Sequence, residues 1–223
     1  MKNEPSDLRQ ALRRLVYRLA FWWVRKRIRG RGNTIRHAGA FLKNVTFDID
    51  GNDNQVHIAP GAVLRNVTFY LRGDRHRLSL AAGCGIHRRG LIWLEDCDGR
   101  LEIGAGTTIE EAHLAVTEPG RSITIGSDCM LAYDIDIRTG DSHPLFDAAS
   151  GERLNPAQDV VIGDRVWIAA HTSILKGVRL AHDSVVATGA VVVKPSDQPG
   201  VVLGGNPAKV VREGVTWSRS RRQ

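Results

Sequence analysis

A six-residue period governs the C-terminal half of the chain, where Ile162, Ile168, Ile174, Leu180, Val186 and Val192 recur within VVIGDRVWIAAHTSILKGVRLAHDSVVATGAVVVK. A strand alternates every two residues and a helix repeats every 3.6, so neither holds this period as one uninterrupted element. A chain that turns a corner every six residues does hold it. The register returns upstream as Ile58, Leu64, Tyr70, then Leu80, Ile86, Ile92, then Ile103, Ile109, then Ile125, Leu131, Ile137. These fragments start 22 or 23 residues apart, which leaves four or five residues per coil beyond three hexads. The surplus is polar and turn-like (RGDRH, EDCDG, EPGR) and reads as corner loops on a solenoid. Four residues after the ladder positions stand mostly small groups: Ala62, Thr68, Cys84, Gly90, Thr107, Cys129, Thr172, Ser184 and Ala190. A narrow prism takes one large and one small inward side chain per short strand.

The pattern resembles the hexapeptide-repeat acyltransferases, and the resemblance covers roughly residues 50 to 213. It implies an all-β solenoid, a left-handed parallel β-helix; the handedness comes from the family, since crossover rules favour the right hand. Within that family the layout is most similar to the maltose and galactoside acetyltransferase-like branch and the polysaccharide O-acetyltransferases.

Charge is placed unevenly. Residues 1 to 36 hold eleven Lys or Arg against Glu4 and Asp7, a net of +9, and SRSRRQ adds three arginines; removing both from the total of +7 leaves −5 on the body. A body without basic excess argues against nucleic-acid binding. Cys84, Cys97 and Cys129 form no CxxC pair, and two of them occupy small inward positions, so packing explains them better than disulfides or metal. With no secretory leader pattern at the N-terminus, a reducing cytoplasm is the expected compartment.

PSDLRQALRRLVYRLAFWWVRKRIRGRG reads as an N-terminal amphipathic α-helix with Ser6 as its cap, closing at Gly30 or Gly32. Leu8, Leu12, Leu15, Val16, Leu19 and Trp23 form its apolar stripe, and the longest apolar run, LAFWWV, is too short to span a bilayer. The helix either packs its Leu/Trp face on the solenoid or a neighbouring subunit, or docks on the anionic inner face of a membrane. The expected organisation is therefore a basic helix and linker over 1–36, a β-helix over 37–213 with an inserted loop at 138–160, and a basic tail over 214–223.

That loop, RTGDSHPLFDAASGERLNPAQDVV, interrupts the ladder without a packing reason, and long loops on rigid scaffolds tend to carry function. His143 lies near its start, where the resemblance implies the family's catalytic histidine, a general base that takes the proton of an acceptor hydroxyl. Asp141 is the candidate to orient the ring. By the same resemblance Trp167 lines the pantetheine channel of acetyl-CoA. Ala169 and Ala170 follow it and offer no side-chain hydroxyl, so a donor to the oxyanion has to be a backbone N–H. Thr188, Gly189 and Lys194 match the cofactor groove. Lys209 and Arg212, in and after GNPAKVVR, fall where family members meet nucleotide phosphates. Glu111 and His113, at a normally small inward position, face the expected acceptor pocket.

The combined expectation is a homotrimeric acetyl-CoA-dependent O-acetyltransferase acting on a sugar or a bacterial surface polysaccharide by direct attack on the thioester, with no metal and no GxSxG nucleophile. The alternatives are N-acetylation of an amino sugar, a serine-type acetyltransferase, a zinc hydratase of the same fold, which needs about three converging histidines, and a non-catalytic scaffold.

Overall fold

The computed structural model describes residues 24–220. Over that span the chain is a left-handed parallel β-solenoid of about eight turns with no helix. The predicted N-terminal helix falls largely on residues 1–23, outside the described span. Its expected last turns do not form: Val24–Arg29 is a strand, paired in parallel with 45–50. Its alternation of Val24, Lys26 and Ile28 with Arg25, Arg27 and Arg29 suits a strand as well as a helix end, and the ready edge of the next coil decides it.

Each turn contributes strands to three faces. Face one stacks Leu42, Leu64, Ile86, Ile109, Leu131, Ile168, Val186 and Leu203 in register. Face two stacks Phe47, Phe69, Ile92, Leu114, Ile137, Ile174 and Val192. Face three runs through the strands Gln55–Ile58, Arg77–Leu80, Arg100–Ile103, Ser122–Ile125 and Val160–Ile162. These columns are buried almost completely and form one continuous core. Each such aliphatic or aromatic side chain contributes about 1.5–3 kcal/mol by leaving water. Cys84 and Cys129 sit within this core, and burial pushes each thiol up to about 11.

The hexad holds in the C-terminal coils and slips in several N-terminal ones. After Ile168 three corner residues precede the next inward side chain, Thr172; after Leu64 only two, Arg65 and Asn66, precede Val67. Asn66 takes a left-handed φ of 53° and donates from Nδ2 to the Arg88 carbonyl, which closes the shorter corner. Parity beyond it inverts. Phe69, not Tyr70, faces the core, and Thr68 faces outward. The same shorter corner after Ile109 turns Ala112 and Leu114 inward and puts His113 on the outer surface, not at an inward position.

The described part of the predicted tail, 214–220, is docked. Val215 N–H bonds to the Gly200 carbonyl, Trp217 Nε1 donates to the Arg165 carbonyl at 2.6 Å, and Arg219 reaches Thr108 and the Cys129 carbonyl. The final strand, Ala208–Arg212, turns back antiparallel on Val202–Gly205.

Candidate active site

Loop 138–160 leaves face two at the strand Ile135–Arg138, and two local devices fix its root. Thr139, fully buried, exchanges hydrogen bonds with the Thr117 backbone through Oγ1, accepting at 2.9 Å and donating at 3.0 Å. Gly140 follows because a Cβ there would come within 2.6 Å of Thr117 Oγ1. At the far end Asp159 accepts from Ser122 N–H at 2.7 Å, and Glu118 holds both Arg153 and the Ala157 N–H.

His143 is exposed on this loop, and its ring makes no hydrogen bond among the described residues. Asp141 does not reach the ring. It pairs with Lys176 and accepts from Asn155 Nδ2 at 2.9 Å; the same Nδ2 donates to the His143 carbonyl at 2.9 Å. Asp141 thus fixes the backbone that carries the histidine. Burial alone would push the Asp141 carboxyl up, but the hydrogen bonds from Lys176 and Asn155 outweigh it and hold its pKa below the usual value.

His143 borders a cavity of about 430 Å3 on the outer side of face two, shared with Ser142, Arg138, His113 and Trp93. His113 Nδ1 lies 3.0 Å from Asp136 Oδ1, and Asp136 Oδ2 accepts from Arg138 Nε at 2.7 Å. Burial raises the Asp136 pKa, yet these two partners overcome it and keep the carboxylate ionised. A neighbouring cavity of about 410 Å3 takes in His113, Asp136, Asp134 and Glu111, which is held by Arg89. Of the two predicted acceptor residues, His113 borders both cavities, while Glu111 lines the one that His143 does not reach.

The predicted donor residues divide. Ala169, Ala170, Thr188 and Gly189 stack at the corner between faces one and two, where Gly189 N–H bonds to the Ala170 carbonyl. Gly189 has a φ of 72° and open space where a side chain would stand, so the corner is a smooth groove. Ala169 N–H bonds to Val186 and His171 N–H to Tyr133, which leaves the Ala170 amide without a partner among the described residues. Lys209 is paired opposite Gly204, at the lower end of that corner. Arg212 stands at the other end of the same strand, opposite Val202. Lys194 belongs elsewhere, exposed at the corner between faces two and three, one coil below Lys176. Trp167 faces outward at the start of face one, 36% exposed and 6.3 Å from Trp217. One chain thus places His143 and Trp167 at different corners of the prism.

Sequence reasoning missed Trp93, Arg138, Asp136, Lys176 and Asn155. Trp93 and Arg138 each follow a buried ladder isoleucine and so face outward by strand alternation, a signal open to the sequence. Asn155 and Lys176 carry no such mark, because 14 and 35 residues separate them from Asp141. Among the described residues no group of three or more His, Cys, Asp or Glu side chains converges as metal ligands.

The left-handed parallel solenoid interrupted by one long loop defines the hexapeptide-repeat class of fold. The comparisons narrow this class. The chain is 35% identical over 191 residues to a polysialic acid O-acetyltransferase of Neisseria meningitidis, covering 85% of this chain and 87% of that protein. It is 32% identical over 93 residues to the galactoside O-acetyltransferase of Escherichia coli K12, covering 41% of this chain and 44% of that one. The crystal structure of the polysialic acid O-acetyltransferase OatWY superposes with a TM-score of 0.83 at 30% identity, covering 88% of this chain and 92% of that one. That of the polysialic acid-specific acetyltransferase NeuO gives 0.82 at 29%, covering 90% and 91%. No family model matches the chain. The chain belongs to the hexapeptide-repeat O-acetyltransferases and is an acyltransferase.

Proposed function

We propose that the protein transfers an acetyl group from acetyl-CoA to a hydroxyl of a bacterial polysaccharide or its precursor. The observation that carries this reading is His143 at the edge of the outer cavity of face two, in a chain alike over most of its length to polysialic acid O-acetyltransferases. His143 takes the acceptor hydroxyl proton as that oxygen attacks the thioester carbonyl carbon. The carbonyl oxygen becomes an oxyanion, for which the unpaired Ala170 N–H is the available donor. Collapse expels the CoA thiolate, which recovers the proton, and an ester remains. Ala169, Ala170, Thr188 and Gly189 offer the pantetheine chain a groove without bulk, Trp167 covers its reactive end, Lys209 and Arg212 meet the phosphates, and Lys194, one coil below Lys176, is the remaining cation assigned to the donor.

The active form is a homotrimer. His143 and Trp167 stand at different corners of one prism, and a neighbouring copy brings such elements together across a cleft. The hairpin tip beside His143 exposes Leu145, Phe146 and Leu154, apolar groups suited to that contact. The basic residues of 1–36 are assigned to contact with an anionic membrane surface at the cytoplasmic side. Asp141 holds the base in place through Asn155.

Replacing His143 by Ala tests the assignment. Transfer should fall by roughly 10²–10⁴ with acetyl-CoA binding nearly unchanged. A variant that keeps more than about a tenth of the wild-type rate removes His143 from the mechanism.

A further inference from the structure

Along the outside of face two one column of paired residues reads Asp48, Tyr70, Trp93, Ala115, Arg138. Its upper part is filled. The Tyr70 and Trp93 rings stack at 4.1 Å, and the Arg72 guanidinium lies 3.6 Å above the Tyr70 ring, pinned by Asp48 at 3.0 Å. At the next rung the column loses its side chain, because Ala115 contributes a methyl group only. Below it Arg138 resumes the column, with Nε and Nη2 on Asp136 and Nη1 making no hydrogen bond among the described residues.

Neighbouring strands lie about 4.8 Å apart, so Trp93 and Arg138, two steps distant, stand roughly 10 Å from each other. A flat ring in contact with a surface on each side needs about 3.5–4 Å per contact, so the gap admits a single ring. Tyr70 covers one indole face; Trp93 lines the outer cavity together with Ala115, itself 7% exposed, and with Arg138, Ser142 and His143, and His113 stands perpendicular to Trp93 at 6.4 Å. The negative face of an indole attracts the polarised C–H bonds of a sugar ring.

We propose that the missing rung at Ala115 is the binding slot for one pyranose ring of the acceptor, stacked on Trp93 and hydrogen-bonded by Arg138, with a hydroxyl presented to His143. The proposal rests on the reading of His143 as the base of a glycan O-acetyltransferase. It adds the two residues that set the plane of the reacting sugar, and it makes the smallness of position 115 a requirement of the reaction.

The test uses the full chain with Ala115→Leu, which fills the slot, and with Trp93→Ala and Trp93→Phe. Acceptor KM is measured with a polysaccharide that the wild type acetylates, acetyl-CoA binding by calorimetry, and native mass by light scattering. Ala115→Leu and Trp93→Ala should each raise acceptor KM by roughly tenfold or more, Trp93→Phe should recover most of the loss, and acetyl-CoA affinity and native mass should stay at wild-type values. An unchanged acceptor KM in Ala115→Leu overturns the slot. A native mass that falls along with activity also overturns it, since the column is then a subunit contact. A wild type that binds acetyl-CoA yet acetylates no glycan rejects the function reading and the slot with it.

Discussion

At the scale of single residues, the candidate site separates the proposed base from the groups that hold its backbone. Among the described residues His143 carries no hydrogen bond on its ring, while its backbone is fixed by Asn155, which is held in turn by Asp141, itself paired with the distant Lys176. An unencumbered ring on an anchored backbone is free to meet a hydroxyl. Lys209 and Arg212, both exposed on the closing strand, are the cations assigned to the donor phosphates. Changing both to Ala should raise the KM for acetyl-CoA and leave acceptor KM unchanged, and the effect should shrink when dephospho-CoA forms the thioester. Equal losses with both thioesters would mean that the pair does not select the additional phosphate.

At the scale of elements, the hexad made the solenoid legible, and it located the corners wherever three residues build them. Where a corner holds two residues, as at Arg65 and Asn66, the same six-residue count points to the wrong face of the strand, because side chains alternate with a period of two. Tyr70 and Thr68 were placed inward for that reason, and His113 was counted as an inward residue. Asn44 and Asn66 take the left-handed conformation at two of the shorter corners, but Asp134 and His171 take it at three-residue corners and the corner after Ile109 has no such residue, so no single residue type marks the shorter corner in the sequence. The register has a measurable consequence. Phe69→Ala should cost about 3–5 kcal/mol of stability in chemical denaturation. Tyr70→Ala, which removes an outer stacking contact, should cost no more than about 1.5 kcal/mol. The reverse order would place Tyr70 in the core and refute the shorter corner. The strand Val24–Arg29 teaches a related lesson, since an amphipathic pattern near a free sheet edge is decided by the edge.

At the scale of the whole molecule, the solenoid sets a rigid column of outward side chains beside a loop that bears the histidine. The proposed donor groove and His143 lie at separate corners, so one chain holds the two proposed halves of the site apart. Family, fold and acyl chemistry were readable from the repeat, the loop and the GNPAKVVR closure. The walls of the cavity outside face two were not, because Trp93, Ala115 and Arg138 converge only through coil stacking, 22 and 23 residues apart. The central claim is that the transferred acetyl group ends on a sugar oxygen. Incubation of the purified protein with acetyl-CoA labelled in its acetyl group and a panel of bacterial polysaccharides, followed by mild alkali, tests it directly. The account predicts label in the polymer that mild alkali releases as acetate, as an ester requires, and little label with His143→Ala. Alkali-stable label, which marks an amide, or no label in any polysaccharide would contradict it.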